Sequence, residues 1–351
     1  MSNLTLILLI KGREKFTKRW LDYMATINYP DCILIGDGDI KSNVKKIIKK
    51  KKYKKLKIKY VSYNNKNYKD YYFMMYDLVR NHLKSEYLRF CDNDDFILKN
   101  QQDNLKEFFK KNRKYISVGD FQIRFEILGK NKLYGNKNYF FFEGVHRKED
   151  KFNENAIIEI FDKYQGNFYN LFRRKDLTKI LFEIYKLNFS DLEIKDFYFK
   201  LRLLTMGKTI YLNQSSYIRQ HGTSQTSSNF YYSENFLNKD IKKDLTKMSQ
   251  KISKIIKYKF GKKRHKIENL ITNSYKNYLN ITIAHNKREF LYPNFFKFKN
   301  YFSKNFINLL LFYRKFKNIL FFMELKKLYD CNLVSFNREL KFLKNFLKIN
   351  K

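Results

Sequence analysis

The segment Tyr87-Leu88-Arg89-Phe90-Cys91-Asp92-Asn93-Asp94-Asp95-Phe96 joins a short β-prone run to three carboxylates within four positions. Such a run reads as a buried strand whose carboxyl end emerges at a polar edge. The same pattern repeats upstream. Leu4–Ile10 is a continuous strand, and residues 13–27 follow with helical spacing, placing Phe16, Trp20, Leu21 and Met24 on one stripe. Cys32–Ile35 is a second strand, closed by Gly36-Asp37-Gly38-Asp39. Residues 40–55 form a Lys-dominated helix, Ile58–Ser62 a third strand and 70–84 another helix. Beyond the acidic segment come a helix at 100–111 and a strand at 115–118. Strand and helix in alternation predict a parallel-sheet α/β domain. Acids at the carboxyl ends of two strands stand where loops of an open sheet converge on a ligand crevice.

Residues 120–190 are less regular and rich in aromatics. Residues 194–206 are helical, Thr209–Leu212 is a short strand, and from about 235 the spacing is helical with Lys on the outer faces. Two regions are therefore expected: residues 1–230 as the sheet domain and 231–351 as a basic, aromatic-rich helical region.

Composition narrows the class. Of 351 residues, 44% are apolar, 18% aromatic and 30% charged, with two prolines and 11 glycines. That excludes a disordered, collagen-like or Pro-rich chain. Cys32, Cys91 and Cys331 are far apart and odd in number, which excludes a disulfide framework and a paired-cysteine zinc site. Leu4–Ile10 falls well short of the roughly 20 residues of a membrane helix. It also lacks the basic leader and cleavage site of a signal peptide, so a cytoplasmic location is expected.

The net charge is +39, from 73 basic and 34 acidic residues. Abundant Lys, Asn, Ile, Phe and Tyr all have AT-rich codons, so much of this follows from base composition. The distribution is uneven nonetheless. Residues 1–240 carry 46 basic and 28 acidic side chains, and residues 241–351 carry 27 and 6. The apolar stripes Phe306–Leu311 and Ile319–Met323 in the tail are too short to span a bilayer and are separated by Arg314, Lys315 and Lys317. Two readings of the tail stay open: packing on the sheet domain, or peripheral attachment to an anionic membrane surface.

Three constellations carry chemistry. Asp92, Asp94 and Asp95 repel one another, and a cation would compensate them. Oxygen ligands at a strand end suit Mn²⁺ or Mg²⁺, most of all when substrate phosphates complete the shell. The other reading is a polar turn capping the helix near Asn100. Asp37, between glycines, can accept from a base imide or a ribose hydroxyl, or simply end a strand. Neither a GxGxxG nor a P-loop pattern occurs. In 195–208, Phe199, Leu203 and Met206 form a packing stripe, while Asp196 can cap its helix or act as a general base. The Arg219-Gln220-His221 loop offers a guanidinium for diphosphate and an imidazole for a metal. His82, His146, His265 and His285 read as structural.

In this order the segments resemble an inverting, family-two-like glycosyltransferase of the GT-A fold, over residues 3–226. Cys91–Phe96 with Ser117-Val118-Gly119-Asp120-Phe121-Gln122 downstream is similar to a bacterial subgroup. The resemblance implies an α/β, Rossmann-like, mostly parallel sheet flanked by helices, with a basic helical C-terminal region. It implies metal-dependent transfer (Mn²⁺ or Mg²⁺) from a nucleoside-diphosphate sugar, a UDP-sugar being favoured, to a hydroxyl of a glycan or lipid-linked acceptor in bacterial surface polysaccharide synthesis. Residue by residue, Lys11 and Arg13 lie in the strand-one nucleotide loop, and Asp37 matches the aspartate that reads the base. Asp92 and Asp94 match the DxD acids, the first also facing the donor nucleotide. Asp196 matches the base, Arg202 and Gly207 keep the family spacing, Arg219 faces the donor, and His221 falls at a late metal contact. Departures are Lys195 for the first acid of the Glu-Asp pair, which makes Glu193 a rival base, and Gly36 for the first acid of Asp-Asp-Gly. Tyr76-Asp77 also stands near where an Arg-Asn pair is common.

Two other classes compete. A nucleic-acid-binding protein would explain the charge, yet no zinc-finger, RNP or homeodomain pattern supports it. A nucleotidyltransferase on a similar sheet would share the metal site and release pyrophosphate.

Overall fold

In the computed structural model, the structure describes residues 3–127, 131–135, 138–143, 149–162, 167–221, 239–291 and 333–349. The first half runs β1 (Leu4–Ile10), α1 (Glu14–Thr26), β2 (Cys32–Asp37), a one-turn α2 (Val44–Ile47), β3 (Lys57–Ser62), α3 (Tyr68–Asp77), β4 (Tyr87–Cys91), β5 (Phe96–Ile97) and α4 (Lys99–Lys111). The second half runs β6 (Tyr115–Ile127), β7 (Asn138–Glu143), β8 (Glu149–Asp150), α5 (Glu154–Asp162), β9 (Leu171–Arg173), α6 (Arg174–Leu187), α7 (Leu192–Met206), β10 (Lys208–His221), α8 (Lys239–Phe260), α9 (Arg264–Leu291) and α10 (Leu333–Ile349).

The strands form one mixed sheet in the order β3-β2-β1-β4-β9-β6-β10-β5, with β7 on β6 and β8 on β10. Strands β3, β2, β1 and β4 are parallel neighbours, and β6 and β10 are a second parallel pair. Short antiparallel β9 joins the two groups. This is the α/β, GT-A-like architecture expected, a Rossmann-like and largely parallel sheet flanked by helices. Every residue of β1 is buried, as the all-apolar run requires of a strand covered on both faces. At the edge, Lys57 and Lys59 of β3 are exposed, which discourages pairing with another chain. The register pairs Ile10 with Asp37 and Leu8 with Cys91, so the acidic ends of β2 and β4 emerge on the same side.

Four local expectations are revised. The helix at 40–55 shrinks to Val44–Ile47 and a 3₁₀ turn at Lys51–Tyr53. Nine lysines in that stretch meet no acid at helical spacing, so like charges oppose propagation. The helix at 70–84 starts at Tyr68 under an Asn67–Asp70 capping box and ends at Asp77, continuing as a π turn over Leu78–His82. Strand β6 reaches Ile127 and β10 reaches His221, so Arg219-Gln220-His221 is strand and not loop. Polar Asn213–Ser216 hid the continuity: the register against β6 shifts between Leu212 and Tyr217, and the strand then resumes. Finally, α7 is capped by Asp191, whose carboxylate accepts from Ile194 N–H at 2.8 Å, so Asp196 is not its cap.

The chain divides into two compact units that interleave in sequence, one of residues 1–152, 166–223 and 329–351, the other of 153–165 and 224–328. Part of the C-terminal region thus returns to the sheet unit. Helix α4 has no cap from its own N-cap residue, Leu98. Glu339 of α10 supplies one, accepting from Asn100 N–H at 2.9 Å, and Ser335 accepts from the Asn100 amide at 3.3 Å. Phe346 lies edge-on to Tyr23, ring centroids 5.4 Å apart, and Gly135 N–H donates to the Leu347 carbonyl. In the other unit α8 and α9 bury Leu245, Met248, Ile252 and Ile256 with Ile267, Ile271 and Tyr275. The stripes Phe306–Leu311 and Ile319–Met323 lie outside the described residues. Among the described residues no helix is long and apolar enough to cross a membrane.

Loss of a helix cap costs about 1 kcal/mol. Glu339→Ala is therefore expected to lower stability by about that amount in chemical denaturation, and Glu339→Gln by less, since its amide oxygen still accepts.

Candidate active site

The acidic segment leaves β4 and turns back at once into β5, with Asp95 N–H donating to the Asp92 carbonyl. One oxygen from each of Asp92, Asp94 and Asp95 lies within 4.8 Å of the others. The three acids are not equivalent. Asp95 is turned inward: it accepts from Tyr217 Oη at 2.8 Å and from Gln220 N–H at 2.9 Å. Asp92 is half-buried and accepts a short hydrogen bond from the Tyr169 hydroxyl. Asp94 is buried and pairs with Arg13 at 2.9 Å.

Arginines surround the cluster. Arg13 follows Gly12 with both residues in the left-handed region, at φ 57° and 67°. A non-glycine residue there is sparsely populated and costs on the order of 1 kcal/mol or more. The conformation leaves the Arg13 carbonyl accepting from Phe16 and Thr17 N–H, starting α1, while its guanidinium meets Asp94. Arg19, buried on α1, donates to the Asp94 carbonyl at 3.0 Å and to Gln220 Oε1 at 2.7 Å. Arg219 stands 3.9 Å from Asp95 and 4.9 Å from the centre of the Tyr169 ring. Tyr169 in turn stacks on Tyr217 at 4.6 Å. Behind them lies Arg89 of β4, which pairs with Asp120 at 3.1 Å and donates to the Tyr169 carbonyl at 2.7 Å and to Ser216 Oγ at 2.5 Å.

Electrostatics follow from this crowding. Burial, then Asp94, pushes the Asp92 carboxyl up to about 6. Burial and Asp94 likewise raise Asp95 well above the ordinary carboxylate range. Burial would lower the Arg219 guanidinium, but Tyr169, Asp95, Tyr217 and Asp92 around it raise it overall. Burial also keeps Tyr169 and Tyr217 protonated, so both act as donors. Three hard oxygen donors held this close together fit a divalent cation of the Mg²⁺ or Mn²⁺ class. Each oxygen has two lone pairs, so the bonds from Arg13 and Tyr169 leave acceptor capacity on Asp94 and Asp92.

The other expected site residues lie around this core. Asp37 is fully buried at the end of β2 and accepts from Asp39 N–H at 3.0 Å and Tyr60 Oη at 2.9 Å. Its neighbour Asp39 is the half-exposed acid of that turn. Lys11 Nζ donates to the Asn65 carbonyl at 2.6 Å. Gly36 is dictated by packing, since a Cβ there would lie 2.4 Å from Leu78 Cδ1 in a filled core. Asp196 is half-buried in the second turn of α7 and accepts from Tyr72 Oη of α3 at 2.8 Å. One turn on, burial pushes the Lys200 ammonium down to about 7 against the pull of Asp196. Arg202 makes a two-pronged pair with Glu183 of α6, at 2.6 and 2.8 Å. His221 is the exposed last residue of β10 and is not a member of the three-acid group.

Tyr169, Tyr217 and Arg19 were not legible as site residues. Alternation along β10 would have put Tyr217 on the face of Arg219 had the strand been recognised. Nothing local marks Tyr169 or Arg19.

No family model and no curated protein matches the chain. Among solved structures it is similar to S. aureus TarS 1-349, at 13% identity and TM-score 0.49, over 78% of this chain and 71% of that one. A second S. aureus TarS structure gives 13% and 0.48, over 78% and 43%. GalNAc-T7 with UDP, GalNAc and Mn²⁺ gives 12% and 0.42, over 77% and 54%.

The Asp92 shift has a sign that can be tested. Its carboxyl loses a proton near 3.8 in the unfolded chain and near 6 in the folded one. Between those values the folded state binds more protons, so this group's contribution to stability falls as pH rises through the window and is level above it. Asp92→Asn removes the effect. The variant's melting temperature relative to wild type is expected to climb from about pH 4 to about pH 6 and then stay constant. A constant difference throughout would mean that ionising Asp92 costs nothing in the fold.

Proposed function

We propose that the protein is a metal-dependent, inverting glycosyltransferase that takes a sugar from a nucleoside-diphosphate donor, a UDP-sugar being favoured, to a hydroxyl of a glycan or lipid-linked acceptor. Bacterial surface polysaccharide synthesis on the cytoplasmic face of the membrane is the setting that fits. The observation that carries this reading is the group of three carboxylates within 4.8 Å at the carboxyl end of β4, bracketed by Arg13 and Arg219. A diphosphate with its cation matches that array in both signs of charge.

Asp92 and Asp94 would hold Mn²⁺ or Mg²⁺, with His221 able to join at the open end of β10. When bound, the ion supplies Lewis-acid stabilisation of the leaving diphosphate. Arg13 and Arg219 would turn from carboxylate to phosphate oxygens, which they meet with the same forked geometry. Lys11 and the turn held by Asp37 would seat the nucleoside at the ends of β1 and β2. The bond between the anomeric carbon and the diphosphate oxygen breaks with its electron pair going to the diphosphate. The acceptor oxygen bonds to that carbon from the opposite face, and its proton passes to a carboxylate. Asp196, relieved of capping by Asp191 and oriented by Tyr72, is assigned as that base.

Asp94→Asn is expected to abolish release of nucleoside diphosphate from donor and acceptor while the melting temperature holds or rises, because a repulsion is removed. Wild-type turnover in this variant would refute the metal assignment. Asp196→Asn should lower kcat by roughly two to four orders of magnitude with donor KM little changed. Glu193→Gln is the control, and a larger loss there would move the base to Glu193. Release of pyrophosphate instead of nucleoside diphosphate would favour nucleotidyl transfer.

A further inference from the structure

Helices α8 and α9 are joined by only Gly261-Lys262-Lys263. Gly261 sits at φ 66°, and its N–H donates to the Lys257 carbonyl at 3.0 Å, closing α8 with a left-handed turn that favours glycine. Below the turn the hairpin is pinned: Ser253 Oγ donates to Glu268 at 2.9 Å, and Arg264 Nε does so at 2.6 Å. The apex is therefore a built end of a helical pair.

Its chemistry is one-sided. Residues 251–266 contain eight Lys or Arg and no Asp or Glu. Lys251, Lys254, Lys257, Lys259, Lys262, Lys263, Arg264 and Lys266 are all exposed. Among the described residues two carboxylates pair with this end, Glu154 with Lys262 and Lys266, and Glu268 with Arg264. Among these cations stand two exposed rings. Tyr258 is 95% exposed, more than any other large apolar side chain among the described residues, and Phe260 is 36% exposed.

We propose that this hairpin apex is a docking surface for an anionic lipid bilayer. Base composition explains the number of lysines and of aromatic residues, but not why two rings are exposed at the point where acids are absent. A bilayer interface accommodates both groups at once: rings settle at headgroup depth, lysines reach the phosphates, and their methylene stems lie along the acyl boundary. The proposed contact is peripheral, made by exposed side chains at the hairpin apex, and among the described residues no helix is long and apolar enough to cross a membrane. It rests on the transferase reading only for what the membrane would offer, a lipid-linked acceptor. Binding needs no turnover, so the two fail separately.

The test is cosedimentation of the full-length chain with vesicles of phosphatidylcholine alone and of phosphatidylcholine mixed equally with phosphatidylglycerol. Binding is expected on the mixed vesicles only, weakening more than about tenfold between about 0.1 M and about 0.5 M salt. Lys257→Glu with Lys259→Glu and Lys263→Glu should lower partitioning more than about tenfold. Tyr258→Ser with Phe260→Ser should lower it by roughly five- to tenfold at unchanged charge. All the substituted positions are exposed, and unchanged thermal melts by circular dichroism confirm folding. The proposal fails if the protein ignores mixed vesicles at low salt, or if both variants bind as wild type does. It also fails if only the charge variant loses binding, since the apex would then be a general polyanion surface such as a nucleic acid would use.

Discussion

The structure is organised around a repulsion. Three carboxylates are held within 4.8 Å of one another at the end of a buried strand. Two like charges about 4 Å apart cost about 4 kcal/mol at an effective dielectric of about 20. No fold of marginal stability keeps such a group without compensation. Here Arg13 and Arg219 face Asp94 and Asp95, and Arg19 holds the Asp94 backbone. The left-handed Arg13, the inward Asp95 and the stacked Tyr169–Tyr217 pair all serve that balance.

The balance is partly exchangeable. Arg13 and Arg219 are half-exposed, whereas Arg19 and Arg89 are buried and bound to backbone carbonyls. The first pair can leave; the second cannot without stranding buried charge, which costs about 3–5 kcal/mol. Arg89 with Asp120 thus fixes β4, β6 and β10 in one frame, and the tyrosines hang from that frame over the acids. The proposed chemistry is an exchange of partners across this rigid back wall.

Much of the frame was legible in the sequence. Strands β1, β2 and β4 announced themselves because runs buried on both faces are largely apolar, and the acid clusters because they end the last two of those runs. What escaped was set by tertiary context. Strand β10 was read as four residues because its middle is polar, and only burial against Asp120 and Gln101 makes Ser216 and Gln214 strand residues. The lysine-rich stretch at 40–55 had helical spacing but no opposite charges. Asp196 could be a cap or a base until Asp191 was seen to cap. Tyr169 reaches Asp92 from 77 positions away, and no local pattern carries that information.

The central claim is that the acids and arginines form one site for a cation and a diphosphate together, so each ligand frees the groups the other needs. Such coupling is reciprocal. The direct measurement is calorimetric titration of Mn²⁺ into the protein with and without saturating UDP. The account predicts weak binding alone and at least roughly tenfold tighter binding with UDP, the size of ordinary coupling between sites. Equal Mn²⁺ affinity in both titrations, or none in either, would contradict it.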